Sequence, residues 1–145
     1  MDILVDIDGT LADCTHRLHH IQKRPKDWDS FFAATADDRP IMPVIAMVSC
    51  MRAHPGHTLI FCSGRPEKTR EATVAWLRRH GLPTKPLYMR ADGDHQDDQH
   101  LKRQLLARIR ADGFDPILAI DDRKRVVDMW RAEGLICAQV AEGDF

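Results

Sequence analysis

The sequence predicts an α/β domain built on a mainly parallel, five-stranded sheet with helices on both faces. Three observations carry this. Short, near-continuous apolar runs recur along the chain ("ILV", "TLIFC", "LYMR", "ILAI", "ICAQV"), stretches of helical spacing separate them, and polar clusters follow several of the runs directly. At 145 residues, with 43% apolar and 30% charged residues, the chain reads as one folded domain, residues 1–145, with a substantial core.

The elements follow in order. Residues 2–8 read as a buried strand, because Ile3, Leu4, Val5 and Ile7 leave no polar face. Residues of about 12–42 are polar and irregular, and read as a small cap or flap inserted after the first strand. Short helical pieces fall at "HRLHHI" and "DWDSFFAATADD", with Pro25 and Pro40 as punctuation. From Val44 to Arg52, Val44, Ile45, Val48 and Met51 share one helical side. "TLIFC" (58–62) is the second strand. Residues 67–80 form a helix, with Pro66 and Glu67 suited to its first turn and Gly81 to its C-terminal cap. "LYMR" (87–90) is a third strand, and 99–110 a helix with Leu101, Leu105, Leu106 and Ile109 on its apolar side. "ILAI" (117–120) is a fourth strand, "RKRVVDMWRAEG" a helix and "ICAQV" (136–140) a fifth strand.

Composition also excludes. A net charge of −1 gives no bulk attraction to nucleic acid, so polyanion binding would need a local basic patch. Four cysteines without CxxC spacing fit reduced thiols and a cytoplasmic location. No apolar run approaches the ~18 residues of a membrane span, and no secretory leader opens the chain. Oligomeric state is open, a homodimer included.

In open parallel sheets, ligands bind beyond the carboxyl ends of the strands. Asp6/Asp8, Ser63/Arg65 and Asp121/Asp122 each follow an apolar strand, so the three clusters are expected to meet in one pocket. Four carboxylates there need protons or a hard cation, and Mg²⁺ with oxygen ligands fits. Arg65 and Lys102 nearby call for an anion as well, which together suggests phosphoryl transfer. An aspartate can itself attack phosphorus. Asp6 and Asp8 on an ideal strand would point the same way, so the chain must leave strand geometry near Ile7–Gly9, which Gly9 permits.

"DIDGTLAD", "FCSGR", Lys102 and "AIDDR" resemble, in order, the four motifs of the haloacid-dehalogenase-like (HAD) phosphohydrolases. Arg17, the stretch "SGR" followed by "TREATVAWLRRHG", "YMR", Asp98, and "DDRKRVVDMWRAEG" followed by "QVAEGDF" are more closely similar to the 3′-phosphatase domain of bacteriophage polynucleotide kinase-phosphatase. The resemblance spans nearly the whole chain. It implies a Rossmann-like three-layer sandwich and removal of 3′-phosphates from nucleic-acid ends, DNA or RNA, in end repair. By resemblance Asp6 is the nucleophile, and Asp8 the proton donor and then base. Asp6, the Asp8 backbone carbonyl and Asp121 hold Mg²⁺, with Asp122 acting through water or orienting Lys102. Ser63, Gly64 and Lys102 bind phosphate in the pocket that Thr10 of the first motif also lines. Arg17 and Arg65 assist substrate binding and Asp98 fixes Lys102. The GxxxxGK[ST] phosphate loop of a kinase does not occur, so the expectation is a free-standing phosphatase or one half of a split system, with a separate kinase or ligase as the candidate partner.

Plainer readings compete. His16 and His20 sit at i,i+4 but lack a third ligand, so a solvated surface is expected. "DGDHQDD" (92–98) lacks the glycine and glutamate of a calcium loop and reads as a polar loop. Trp28, Phe31 and Phe32 read as the core of a short helix, with base stacking as the alternative. Trp76 and Trp130 read as core. Arg17, Arg65, Lys68, Arg70, Lys124 and Arg125 are candidates for contacts to flanking phosphates. The functional rivals are a small-molecule phosphatase such as a nucleotidase, and a non-catalytic phosphate- or metal-binding module.

Overall fold

The structure, a computed structural model, describes residues 1–143; Asp144 and Phe145, which end the "QVAEGDF" stretch, lie outside the described residues. Five strands form one sheet: β1 (Asp2–Val5), β4 (Thr58–Pro66), β5 (Leu87–Arg90), β6 (Pro116–Arg123) and β7 (Ile136–Gly143), in the order β5-β4-β1-β6-β7. Every neighbouring pair is parallel. A separate two-residue pair, β2 (Ala12–Asp13) with β3 (Arg39–Pro40), is antiparallel and closes the base of the insertion after β1.

Side chains alternate across a strand, so each strand feeds two cores. Ile3, Val5, Leu59 and Phe61 pack with α3 (Met42–Ala53) and α4 (Arg70–Arg79) through Ile45, Val48, Trp76 and Leu77. Leu4, Ile60 and Cys62 face the other way, onto α5 (Asp98–Ala111) and α6 (Lys124–Ala132) through Leu105, Ile109, Val127 and Trp130. The result is helix, sheet, helix: the expected three-layer sandwich.

The boundaries differ from the sequence expectation in places. The first strand stops at Val5, three residues early, because the backbone of Ile7 is drawn into a tight loop. Its carbonyl accepts from the amides of Leu11 (2.9 Å) and Ala12 (2.8 Å), and Gly9 adopts φ +84° inside that loop. The helix expected over 67–80 begins as a 3-10 turn at Glu67–Thr69, and Pro66 remains extended at the end of β4. The strands β4, β6 and β7 run past their apolar cores into polar residues, which carries Ser63, Asp121 and Asp122 along the sheet edge. The insertion holds two short helices, α1 (His19–Gln22) and α2 (Trp28–Ala33), the latter capped by the Asp27 side chain accepting from the Ser30 amide at 3.0 Å. Among the described residues no helix is long and apolar enough to cross a membrane. Cys14, Cys62 and Cys137 are buried, and burial pushes the Cys14 and Cys137 thiols up to about 12, so neither is an ionised nucleophile.

Candidate active site

The central strand β1 lies between β4 and β6, so the carboxyl ends of all three adjoin, and the chain crosses from one side of the sheet to the other there. The Asp6 amide donates to the Ile120 carbonyl at 3.0 Å, which locks the start of the post-β1 loop onto β6. Around this junction two charged clusters form.

The first gathers Asp6, Asp121 and Asp122, whose carboxylate oxygens lie within 4.8 Å of one another, all buried. Lys102, projecting from α5 and itself buried, donates through Nζ to Asp6 Oδ1 at 2.7 Å and to Asp121 Oδ2 at 2.9 Å. Thr10 Oγ1 ties the group from the loop side, donating to Asp6 Oδ2 (3.3 Å) and Asp122 Oδ1 (3.2 Å). Gly9 is required beside it, since a side chain there would run into the Asp122 carboxylate. Burial raises the Asp6 carboxyl well above its usual range, with Asp121 and Asp122 adding to the rise against the opposing pull of Lys102. Burial and the neighbouring Asp121 carry Asp122 up to about 6. Burial alone would lower Lys102, but Asp121 and Asp6 outweigh it and hold the ammonium charged. Three carboxylates and one ammonium leave net negative charge in a buried, oxygen-only donor set. That chemistry suits a hard divalent ion such as Mg²⁺.

The second cluster surrounds Asp8. Arg65 donates to Asp8 Oδ1 through Nη2 (2.6 Å) and Nε (2.9 Å), and Arg17 donates to the same oxygen at 2.7 Å. Both guanidiniums are fully buried and share Asp38, at 2.7 Å in each case. Burial raises Asp8, but Arg65 and then Arg17 outweigh it and hold its carboxyl below the ordinary value. The two aspartates of "DIDGT" thus face opposite environments, because the loop bends away from strand geometry directly after Val5.

The remaining predicted residues fall nearby. The Ser63 hydroxyl accepts from the Arg65 amide at 3.2 Å. Gly64 lines the cavity; its carbonyl accepts from Arg90 Nε at 2.9 Å, and a side chain there would meet Asp98. Asp98 stands 3.6 Å from Lys102 Nζ, farther than Asp6 or Asp121, and lies closer to Arg90 (3.3 Å) and Arg123 (3.5 Å). Asp6, Asp8, Gly64, Asp98, Lys102 and Asp121 all border one cavity of about 390 Å³.

Sequence reasoning missed several members. Asp38 binds both arginines, and His16, exposed to solvent as expected, also places its Nε2 2.8 Å from Asp38 Oδ1. Trp76 and Trp130 are buried as expected, yet each also donates from its indole nitrogen, Trp76 to the Asp38 carbonyl (2.8 Å) and Trp130 to Asp121 Oδ2 (3.1 Å). The only signal for Asp38 was its place in an otherwise polar insertion. Several of the basic residues that are candidates for contacts to flanking phosphates also pair with carboxylates: Arg17 and Arg65 as above, Lys68 with Asp29 (2.6 Å), Arg70 with Glu67 (2.6 Å) and Lys124 with Asp128 (2.7 Å).

Comparison with known proteins follows the same lines. Residues 1–145 match the family described as the polynucleotide kinase PNKP phosphatase domain. The protein named "Putative bifunctional polynucleotide kinase/RNA ligase" of Autographa californica nuclear polyhedrosis virus is 28% identical over 130 residues, which are 89% of this chain and 17% of that protein. A chain from the structure of the Pnkp1/Rnl/Hen1 RNA repair complex superposes with a TM-score of 0.80 at 32% identity, covering 99% of this chain and 43% of that one. The class C acid phosphatase of Bacillus anthracis with tungstate bound shares the fold at 18% identity and a TM-score of 0.66, over 99% of this chain and 67% of its own. This chain therefore spans less than half the length of the kinase-linked proteins it matches. It belongs to the HAD phosphatase-domain family of polynucleotide kinase PNKP.

Proposed function

We propose that the chain is a Mg²⁺-dependent polynucleotide 3′-phosphatase acting through an aspartyl-phosphate. The observation that carries this reading is the split between its two central aspartates: Asp6 beside an ammonium and two further carboxylates, Asp8 under two guanidiniums. Family membership supports phosphatase chemistry. Asp6 attacks phosphorus once Lys102 turns from its carboxylates to a phosphate oxygen, with Ser63 and the Gly64 amide completing the phosphate cradle. At rest the arginines keep Asp8 ionised. Entry of a phosphate dianion adds negative charge beside it, raises its pKa, and lets it take up the proton that it passes to the departing 3′-oxygen. The regenerated carboxylate then takes a proton from the water that cleaves the Asp6–phosphate bond. Asp6, the Asp8 carbonyl and Asp121 would hold Mg²⁺, with Asp122 through water; the ion would neutralise phosphate oxygens during attack.

Residues 12–42, read as a small flap, are too few for a full lid domain, which favours the end of an oligonucleotide over a free nucleotide. A separate kinase or ligase is the natural companion, since the kinase-linked relatives combine such activities in longer chains or assemblies. The test is a panel of oligonucleotides ending in 3′-phosphate, 5′-phosphate and 2′,3′-cyclic phosphate, with 3′-mononucleotides alongside, each with Mg²⁺ and with a chelator. Mg²⁺-dependent release from the 3′-phosphate end is expected to dominate. A higher kcat/KM on mononucleotides would replace the polymer reading with a nucleotidase.

A further inference from the structure

The cavity over Asp6 and Asp8 has a second wall that phosphate chemistry leaves unused. Trp28, Phe31 and Phe32 from α2 line it. The Trp28 ring lies nearly parallel to Phe32 (centroids 5.9 Å apart, planes at 20°) and edge-on to Phe31 (5.8 Å, 89°). Core packing would bury such a tryptophan, as it buries Trp76 and Trp130. Trp28 instead stays 42% exposed, the one aromatic among the exposed large hydrophobics of the described residues.

The aromatic wall is also joined to the reacting centre. Phe31 is buried, and the Arg17 guanidinium stands 4.2 Å from its ring centroid while donating to Asp8 at 2.7 Å. A packed path therefore runs from the Asp8 carboxylate through Arg17 and Phe31 to the open Trp28 ring. The helix that carries the ring is fixed at its start by the Asp27 cap, and across the cavity by the Asp29–Lys68 pair at 2.6 Å. Lys26 Nζ lies over the Trp28 ring, 5.3 Å from its centroid, and brings positive charge to that face. The cavity volume, about 390 Å³, lies toward the small end of ligand pockets, roughly 300–1,000 Å³, a size for one nucleotide unit rather than a duplex end.

We infer that Trp28 and Phe32 form a stacking platform for the base of the 3′-terminal nucleotide, which holds the terminal sugar phosphate over Asp6. The inference rests on the 3′-phosphatase reading and names its substrate contact. Every base offers a π-face, so the platform grips an end without reading its sequence. That suits an enzyme that must accept any terminal base.

The test compares two oligonucleotides that differ only at the last sugar, one carrying a base and the other abasic, both 3′-phosphorylated. The readout is the ratio of their kcat/KM values. The wild-type chain is expected to favour the base-bearing end, Trp28→Ala to lower the ratio about 5- to 100-fold, and Trp28→Tyr to restore most of it. A ratio near one in the wild type, or an equal loss on both ends in Trp28→Ala, overturns the platform and leaves α2 a packing element. Binding to Asp6→Asn gives a readout free of turnover. Trp76 and Trp130 are buried, so quenching of indole fluorescence by the base-bearing end, absent with the abasic end and in Trp28→Phe, reports stacking on Trp28. Should the wild type hydrolyse neither end while base-dependent quenching persists, the 3′-phosphatase reading fails and the platform stands. Absence of that quenching overturns the platform whatever the enzyme hydrolyses.

Discussion

Two acidic clusters meet at the mouth of the sheet, and they are balanced in opposite ways. In one, Asp6, Asp121 and Asp122 share the single ammonium of Lys102. In the other, Asp8 and Asp38 share the two guanidiniums of Arg17 and Arg65. A single residue of chain separates Asp6 from Asp8, yet the first carboxyl is pushed well above its usual range and the second is held below it. Burial acts on both in the same direction, so the difference lies in the partners alone. The under-neutralised cluster is a vacancy for positive charge. The neutral one is a rigid brace, complete without any ligand.

The comparison breaks most sharply on activity. Under the proposed mechanism, Asp6→Asn removes the attacking oxygen, and phosphate release from a 3′-phosphorylated oligonucleotide should fall on the order of 10⁴-fold. Turnover that survives the substitution with its Mg²⁺ dependence intact would remove the aspartyl-phosphate. On the braced side the largest effect is on stability. Asp38→Ala leaves two fully buried guanidiniums with one carboxylate between them, and breaking a buried pair in this way costs about 3–5 kcal/mol. The urea midpoint should drop accordingly with an unchanged slope. A loss below about 1 kcal/mol would mean that Asp8 and water can satisfy both arginines alone.

The over-acidic side should respond to metal, and the sign follows from its raised pKa values. Asp122, near 6 in the folded chain against 3.8 unfolded, is largely protonated below pH 6 and must lose that proton to serve a cation. Without metal, its contribution to stability is present at low pH and is lost as pH rises from about 4 through about 6. Mg²⁺ replaces the missing positive charge only where the carboxylates are ionised. The rise in Tm on adding Mg²⁺ should therefore grow across that window, by several degrees between pH 5 and pH 7.5. A rise independent of pH would place the ion elsewhere.

Much of the fold and half of this contrast are legible in the sequence. The parallel strands announce themselves because burial on both faces leaves runs such as "ILV" and "TLIFC" without polar interruption. The polar residues that follow those runs must then gather at the carboxyl edge, which brings Asp6, Ser63, Lys102 and Asp121 together. Asp38 was not legible. It lies 21 residues from Arg17 and 27 from Arg65, in an insertion with no periodicity, and its contact depends on how short helices fold back across β2 and β3. The opposite settings of Asp6 and Asp8 were half legible: Gly9 signalled a departure from strand geometry, but the sequence did not show that the Ile7 carbonyl would turn to accept from the amides of Leu11 and Ala12, which is what takes Asp8 off the strand. Main-chain pairing leaves no mark on composition.

The smallest predicted effect is the one that separates the clusters by sign. Replacing a buried carboxylate normally destabilises, and Asp38→Asn should do so, because it removes charge from a brace in which charges balance. Asp122→Asn removes charge from a group that has too much of one sign. The amide keeps the shape that fits against Gly9, and it keeps an oxygen to accept from Thr10 Oγ1, so neither packing nor hydrogen bonding need change. What disappears is repulsion with Asp121 and Asp6. At pH 7 without metal, Asp122→Asn should therefore raise stability by about 1 kcal/mol, a rise of about 2–4 °C in Tm, while the gain from added Mg²⁺ shrinks. Calorimetry of the two variants side by side reads both signs. If Asp122→Asn destabilises as Asp38→Asn does, Lys102 and the neighbouring arginines already neutralise the trio, and the charge vacancy on which the metal reading rests does not exist.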